Sequence, residues 1–229
     1  MLRDGTYAYL LDDDGALIWS ASAQGYGYPC IGDLDGDGEM EIGLGGRSTF
    51  TVLDTDGSTL WTQSVSDYSS GTMSCATFDF NGDGAAEVVH MDRYDLFIWD
   101  GSAGTELYNN TSAASGSLFE HPVVADVDAD GSAEIVFPSN NYSISGYDGV
   151  YVLGEDNNEW AAANAVWNQE DYSPAHANED GSIPTDTTAP WLSDMGYRTQ
   201  TTPSGPANAA PDWSVSIIGA CEDLSLIHI

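Results

Sequence analysis

Asp33-Leu34-Asp35-Gly36-Asp37-Gly38-Glu39-Met40-Glu41 decides the reading of this chain, because the pattern occurs three times. It returns as Asp79-Phe80-Asn81-Gly82-Asp83-Gly84-Ala85-Ala86-Glu87 and as Asp126-Val127-Asp128-Ala129-Asp130-Gly131-Ser132-Ala133-Glu134, 46 and then 47 residues further on. In each copy positions 1, 3 and 5 carry Asp or Asn, position 6 is Gly and position 9 is Glu. An apolar run follows each loop: Ile42-Gly43-Leu44, Val88-Val89 and Ile135-Val136-Phe137. A second pattern, apolar run then acidic turn then aromatic, comes later in every unit. It reads Thr51 to Leu53 through Asp56-Gly57 to Trp61, Leu96 to Trp99 through Asp100-Gly101 to Tyr108, and Val150 to Leu153 through Asp156 to Trp160. A half-copy, Tyr7 to Leu11 through Asp14-Gly15 to Trp19, opens the chain.

Short apolar or alternating runs bounded by Gly, Asp and Asn read as strands and hairpins. A unit of this length with several short strands suits one four-stranded propeller blade. A single blade cannot bury both faces of its sheet, so the units must stack. The aromatic residue ending each unit is then read as packing between blades. The expected fold is all-β, a partial β-propeller of about three four-stranded blades with calcium loops and an irregular C-terminal tail.

Residues 1–160 are assigned to blades: 1–20 as the end of a preceding blade, then 21–62, 63–109 and 110–160. Residues 161–205 form a loop-rich trailing segment. A short helix is expected at Ala161 to Gln169, and Pro, Thr, Ser and Gly dominate from Pro174 to Pro211. Residues 206–229 are expected to begin a truncated next module, with Pro211-Asp212-Trp213-Ser214-Val215-Ser216 resembling the first strand of a β-sandwich. Leu224 to Ile229 resembles translated sequencing adaptor, and the chain is read as a fragment of a longer protein.

The acidic loops carry the chemistry. Calcium takes about six to eight hard oxygen ligands in flexible geometry. Alternate residues of a tight turn aim several carboxylates at one point, and Gly at position 6 supplies the positive φ that the turn demands. The expected ligands of the first loop are Asp33, Asp35, Asp37, the carbonyl of Glu39, and Glu41. Those of the second are Asp79, Asn81, Asp83, the carbonyl of Ala85, and Glu87. Those of the third are Asp126, Asp128, Asp130, the carbonyl of Ser132, and Glu134. The closing Glu at position 9 leads into a strand, whereas an EF-hand closes at position 12 and on a helix.

Asp-Gly turns can simply connect strands, and Asp12 to Gly15, Asp54 to Gly57 and Asp100-Gly101 are read in that way. That reading does not explain a closing Glu in one register three times. Eleven ligand carboxylates in three short loops repel one another unless cations neutralise them. About three calcium ions are therefore expected, with a weaker middle site where Asn81 replaces an Asp.

At these residues the sequence resembles the FG-GAP/VCBS repeat family, the blades of integrin-alpha-like β-propellers. Pro29 to Ile42 and Pro122 to Ile135 carry the resemblance, which covers roughly residues 1–160. Cys75 stands where the other copies have Pro. The resemblance implies calcium in the blade loops and a role in adhesion, surface recognition or carbohydrate binding. Similar repeats occur in some polysaccharide lyases and lectins, so it leaves the activity open. Trp167-Asn168-Gln169, followed by Asp180-Gly181-Ser182-Ile183-Pro184, resembles a segment that trails such repeats in large bacterial surface proteins.

The charge balance narrows the partners. There are 37 Asp and Glu against four Arg and no Lys, a net charge of −33. This excludes general nucleic-acid binding and argues against docking on anionic membranes. No apolar stretch is long enough to insert in a membrane as a helix. The three cysteines are too few for a disulfide framework. Cys30 and Cys75 occupy near-equivalent places in successive units. They are read as two small buried core residues, with a bridge as the alternative.

The nucleophile-elbow, zincin and P-loop motifs are all absent. The four histidines have no metal-ligand spacing, and His90 is read as a packed or rim residue. The expectation is a secreted or cell-surface module, not an enzyme, that binds a protein or glycan ligand. The alternative is a sugar-binding or polysaccharide-degrading propeller, with sugars stacked on Tyr26, Tyr28 or Tyr94. A halophile's protein, acidic for solvation alone, is a third reading.

Overall fold

The computed structural model describes residues 1–221, apart from 69, 117–118, 143–144, 146–147, 186–188, 190–195 and 203–212. The readings made on Leu224 to Ile229 and on residues 206–212 lie outside the described residues. Among those described there is no α-helix, only a 3-10 turn at Pro174–His176. No helix is long and apolar enough to cross a membrane.

The strands form four antiparallel sheets. The first contains β1 (Leu2–Arg3), β2 (Gly5–Leu11) and β3 (Leu17–Gly25). The second contains β4 (Cys30–Gly32), β5 (Glu41–Leu44), β6 (Thr49–Leu53) and β7 (Thr59–Ser64). The third contains β8 (Cys75–Phe78), β9 (Glu87–Met91), β10 (Leu96–Trp99) and β11 (Glu106–Asn110). The fourth contains β12 (Val123–Ala125), β13 (Glu134–Ser139), β14 (Gly149–Glu155) and β15 (Val215–Cys221). Within each sheet the strands follow one another in chain order, as in the blades of a partial propeller. Each nine-residue acidic loop joins the first strand of a four-stranded sheet to the second.

Three apolar clusters fill the spaces between consecutive sheets. Ala8, Ala23, Ile42, Leu44 and Leu53 join the first sheet to the second. Phe50, Val52, Trp61, Val88, Phe97 and Trp99 join the second to the third. Phe78, Val89, Ile98, Ile135, Phe137 and Leu153 join the third to the fourth. This placement explains the sequence pattern. Strands β8, β9 and β10 are buried throughout and therefore read as apolar runs. The last strands β7 and β11 mix buried or half-buried positions with exposed ones.

The aromatic ends of the units lock one blade to the next. Trp19 Nε1 donates to the Thr55 carbonyl (2.8 Å), and Trp61 Nε1 donates to that of Gly101. The rings lie against Gly57 and Gly104, where a Cβ would come within 2.7 and 2.6 Å of Trp19 and Trp61. Both glycines also have positive φ. The acidic hairpin turns therefore serve as sockets as well as connections.

The structure corrects the expectation for Cys30 and Cys75. The first strands of the complete sheets lie side by side, β4 against β8 and β8 against β12. That brings the two Cα atoms to 5.4 Å, and the cysteines form a disulfide. The bridge joins residues 45 apart in the chain, and closing a loop of that length stabilises a fold by about 4 kcal/mol in the chain-entropy account.

The trailing segment also differs from expectation. Ala161 to Gln169 forms no helix, because its backbone is bonded elsewhere. The Ala161 N–H donates to the Phe80 carbonyl (2.8 Å), and the Ala161 carbonyl accepts from Ala133 (3.1 Å). The carbonyls of Asn164 and Val166 accept from Gln200 Nε2. Residues 215–221, expected within a further module, pair antiparallel with β14 as the fourth strand of the last sheet.

Residues 197–200 cross the first strands. Ile31 bridges Tyr197 and Thr77 bridges Thr199. The buried Arg198 guanidinium donates to the carbonyls of Cys75 (2.8 Å), Pro122 (2.9 Å) and Glu170. It also lies 5.4 Å from the ring centroid of Trp167. One cation thus ties the third sheet, the entry to the fourth and the trailing segment together.

Candidate metal centres

The three acidic loops share one backbone design. The first Asp caps at least two N–H groups of its own turn, and Asp79 caps a third, that of Asp83 (3.2 Å). Asp33 accepts from Gly36 (2.8 Å) and Gly38 (3.1 Å). Asp79 accepts from Gly82 (2.7 Å) and Gly84 (3.0 Å), and Asp126 from Ala129 (2.7 Å) and Gly131 (3.1 Å). Positions 3 and 5 make the same short turns one step on. Asp35, Asn81 and Asp128 accept from Asp37, Asp83 and Asp130, which in turn accept from Glu39, Ala85 and Ser132. These bonds curl the chain so that alternate side chains converge.

Gly38, Gly84 and Gly131 have φ of 92°, 97° and 88°. A Cβ would meet nothing within 4 Å at any of them, so backbone conformation alone requires Gly there. Position 4 is also left-handed: Gly36 and Gly82 have positive φ, and Ala129 sits at 63°.

The closing Glu is buried in all three loops. One carboxylate oxygen accepts from the N–H at position 2: Glu41 from Leu34 (2.7 Å), Glu87 from Phe80 (2.8 Å) and Glu134 from Val127 (2.8 Å). Burial pushes Glu41 up to about 7, Glu87 to about 8 and Glu134 to about 7, and the neighbouring Asp charges add to each shift. A cation beside them would reverse that shift.

The loops differ in what meets the second oxygen. Glu41 Oε1 is buried and has no partner. In the same loop the Asp35 and Asp33 charges act on Glu41, and the oxygens of Asp33, Asp35 and Asp37 lie within 4.8 Å of one another. Those of Asp126, Asp128 and Glu134 do the same in the third loop. In the middle loop the Asn81 amide donates to Glu87 Oε1 at 2.7 Å. An orphaned carboxylate oxygen in a loop that gathers three further carboxylates fits a hard cation. The first loop meets both parts of that test, and the third gathers its carboxylates in the same way.

The loops touch. The Ala86 N–H donates to the Asp33 carbonyl (2.8 Å), and Ala161 links the second loop to the third. Sequence reasoning missed Asn158, which donates from the turn just after β14 to Asp130. Its distance along the chain gave no signal. His90 is buried between Phe50 and Trp99, with Nδ1 3.0 Å from the Ser74 carbonyl. Burial lowers its pKa to about 4, as suits a packed neutral ring.

Three blade-like sheets with acidic loops at equivalent corners define a partial β-propeller, and the comparisons agree. Residues 33–90 match the model of the FG-GAP-like repeat, so the chain carries that repeat. Among solved structures, the V. cholerae biofilm matrix protein Bap1 is 29% identical with a TM-score of 0.67. The match covers 75% of this chain and 28% of that one, so this chain spans little more than a quarter of Bap1.

The rhamnogalacturonan lyase YesW is 15% identical with a TM-score of 0.38, over 68% of this chain and 36% of its own. A Bacillus licheniformis rhamnogalacturonan lyase is 16% identical with a TM-score of 0.42, over 70% and 38%. Neither likeness carries an argument about activity. No curated protein sequence matches the chain.

Proposed function

We propose that this chain is a calcium-stabilised binding and adhesion scaffold that works outside the cell and recognises a protein or glycan ligand. The observation that carries the reading is the partnerless buried oxygen of Glu41 in the loop that draws Asp33, Asp35 and Asp37 together. A buried acceptor without a donor is destabilising, and a hard cation relieves it.

The proposed ligands are Asp33, Asp35, Asp37, Glu41 and the Glu39 carbonyl in the first loop. In the third they are Asp126, Asp128, Asp130, Glu134 and the Ser132 carbonyl. In the middle, weaker loop they are Asp79, Asn81, Asp83, Glu87 and the Ala85 carbonyl. Bound calcium supplies positive charge that lets the carboxylates stay ionised and close together. Extracellular modules hold calcium with Kd on the order of 10⁻⁴ to 10⁻³ M. At ~10 mM calcium each such site stabilises the fold by roughly 1.4 to 2.7 kcal/mol.

Two further features support an extracellular setting. The Cys30–Cys75 bridge belongs in an oxidising compartment. A chain of net charge −33 is relieved of self-repulsion by a calcium-rich medium. The ligand-binding role is also that of a scaffold, with rigid blades held by ions and aromatic sockets, rather than of an enzyme.

Thermal melting in calcium and in chelator tests the reading. The expected result is a melting temperature lower by more than about 5 °C in chelator. An unchanged melting temperature would remove the calcium scaffold.

A further inference from the structure

Away from the acidic loops, a cleft of about 860 Å³ opens between the linker from β3 to β4 and the trailing segment. Its size is that of a small-molecule site. Tyr26 and Tyr28 come from the linker and are 59% and 43% exposed. Gln169, Asp171, Ser173 and Tyr197 come from the trailing segment.

Both sides are held in place. The N–H groups of Tyr26 and Gly27 donate to the Gly71 carbonyl (2.6 and 3.1 Å). The Tyr26 ring lies on Gly5, where a Cβ would come within 2.4 Å of it. Ser74 Oγ donates to the Tyr28 carbonyl at 3.0 Å. Opposite, the Tyr197 hydroxyl donates to the Asp171 carboxylate, and Gln169 Nε2 donates to the Asp171 carbonyl (3.1 Å). Ser173 is only 1% exposed, lines the cleft, and its Oγ has no partner. A buried hydroxyl left in that state costs about 1 to 3 kcal/mol, which a ligand hydroxyl would offset. Aromatic faces fixed in advance reduce the ordering cost of binding.

We infer that this cleft binds an uncharged oligosaccharide. Exposed tyrosine rings suit the apolar C–H face of a pyranose. Asp171 accepts hydrogen bonds, and the Gln169 amide and Ser173 hydroxyl both accept and donate, which matches ring hydroxyls. The net charge of −33 disfavours sugars bearing carboxylate or sulfate. Arg3 also lines the cleft, but its terminal nitrogens donate to the carbonyls of Gly27 (2.8 Å), Gln24 (2.7 Å) and Gly45 (3.2 Å). It is not presented as an anion receptor. The inference rests on the chain being a recognition module, and not on the calcium loops.

The test applies the calcium-loaded full chain to short oligosaccharides of uncharged hexoses and N-acetylhexosamines, with uronic-acid oligosaccharides alongside. Uncharged sugars are expected to bind and acidic ones not. Titration of the best uncharged sugar should show Tyr28→Ala weakening affinity about tenfold or more. Tyr28→Phe should stay near the parent, and Tyr68→Ala, an exposed tyrosine outside the cleft, should change nothing. Each variant is first shown to melt like the parent.

Silence across the uncharged sugars from a protein whose melting responds to calcium would overturn the cleft inference and leave the scaffold standing. Binding confined to acidic sugars, or unaffected by Tyr28→Ala, would also overturn it. Sugar binding that survives in a protein with no calcium response would uphold the cleft and defeat the calcium scaffold.

Discussion

The loops at Asp33 and Asp79 curl through nearly the same hydrogen bonds and differ at one of the proposed ligand side chains, Asp35 in the first and Asn81 in the second. In the middle loop the Asn81 amide reaches Glu87 and satisfies the oxygen that its backbone bond leaves over. In the first loop Asp35 offers no donor, and Glu41 Oε1 is left alone. The same fold is therefore built in two ways: one loop partly satisfies itself, and the other depends on a cation. Replacing a carboxylate by an amide trades ligand charge for an internal donor.

The largest effect that would separate them is removal of the first Asp in calcium. Asp33→Ala should destabilise by about 2 to 4 kcal/mol, from two lost N–H caps and a lost ion. Asp79→Ala should cost about 1 to 2 kcal/mol, chiefly the caps. Denaturant unfolding of both variants measures the gap, and equal losses would break the comparison.

The closing glutamates give a change of sign. Their folded-state pKa values lie above the ordinary value of 4.5, at about 7 for Glu41 and about 8 for Glu87. Without calcium the folded state holds protons that the unfolded chain has released. Stability from these groups is therefore present below about pH 4.5 and is lost as pH rises to between about 7 and 8. Glu41→Gln keeps the side chain neutral. It should be more stable than the parent in chelator at pH 8, and less stable in calcium. Melting curves in both buffers check this, and the same sign in both would contradict it.

Asn81→Asp should make the middle loop resemble the first. Its calcium affinity should rise about tenfold, a change of 1.4 kcal/mol. In chelator the variant should lose about 1 kcal/mol with the amide donor. Isothermal titration reads the first effect and denaturant unfolding the second.

The smallest effect lies in the third loop, where Ala129 takes the left-handed backbone that Gly36 and Gly82 take in the others. Ala129→Gly should relieve strain of about 1 kcal/mol, less the glycine's added unfolded-state entropy, without altering calcium stoichiometry. A loss of stability would show that the Ala is not strained.

Much of this architecture was legible in the residues. The Gly at position 6 and the Glu at position 9 marked the loops, since a turn with positive φ and a buried carboxylate tolerate few substitutes. Trp19 and Trp61 marked the contacts between blades. What stayed hidden depends on contacts distant along the chain. Cys30 and Cys75 are sparse cysteines that meet only because β4 and β8 run side by side. Ala161 to Gln169 has helical composition, but its backbone groups are claimed by Phe80, Ala133 and Gln200. Strand β15 completes its sheet from residues far beyond β14, after a stretch with no repeat pattern. Arg198 gave a faint signal, as one of four cations in an acidic chain.

The central claim is that cations hold these carboxylates together, most firmly where no amide substitutes for one. A crystal grown in calcium tests it directly through the anomalous signal at each loop. The account predicts strong peaks enclosed by Asp33, Asp35 and Asp37 and by Asp126, Asp128 and Glu134, with a weaker peak by Asp79. Bare turns at all three positions in saturating calcium would contradict it.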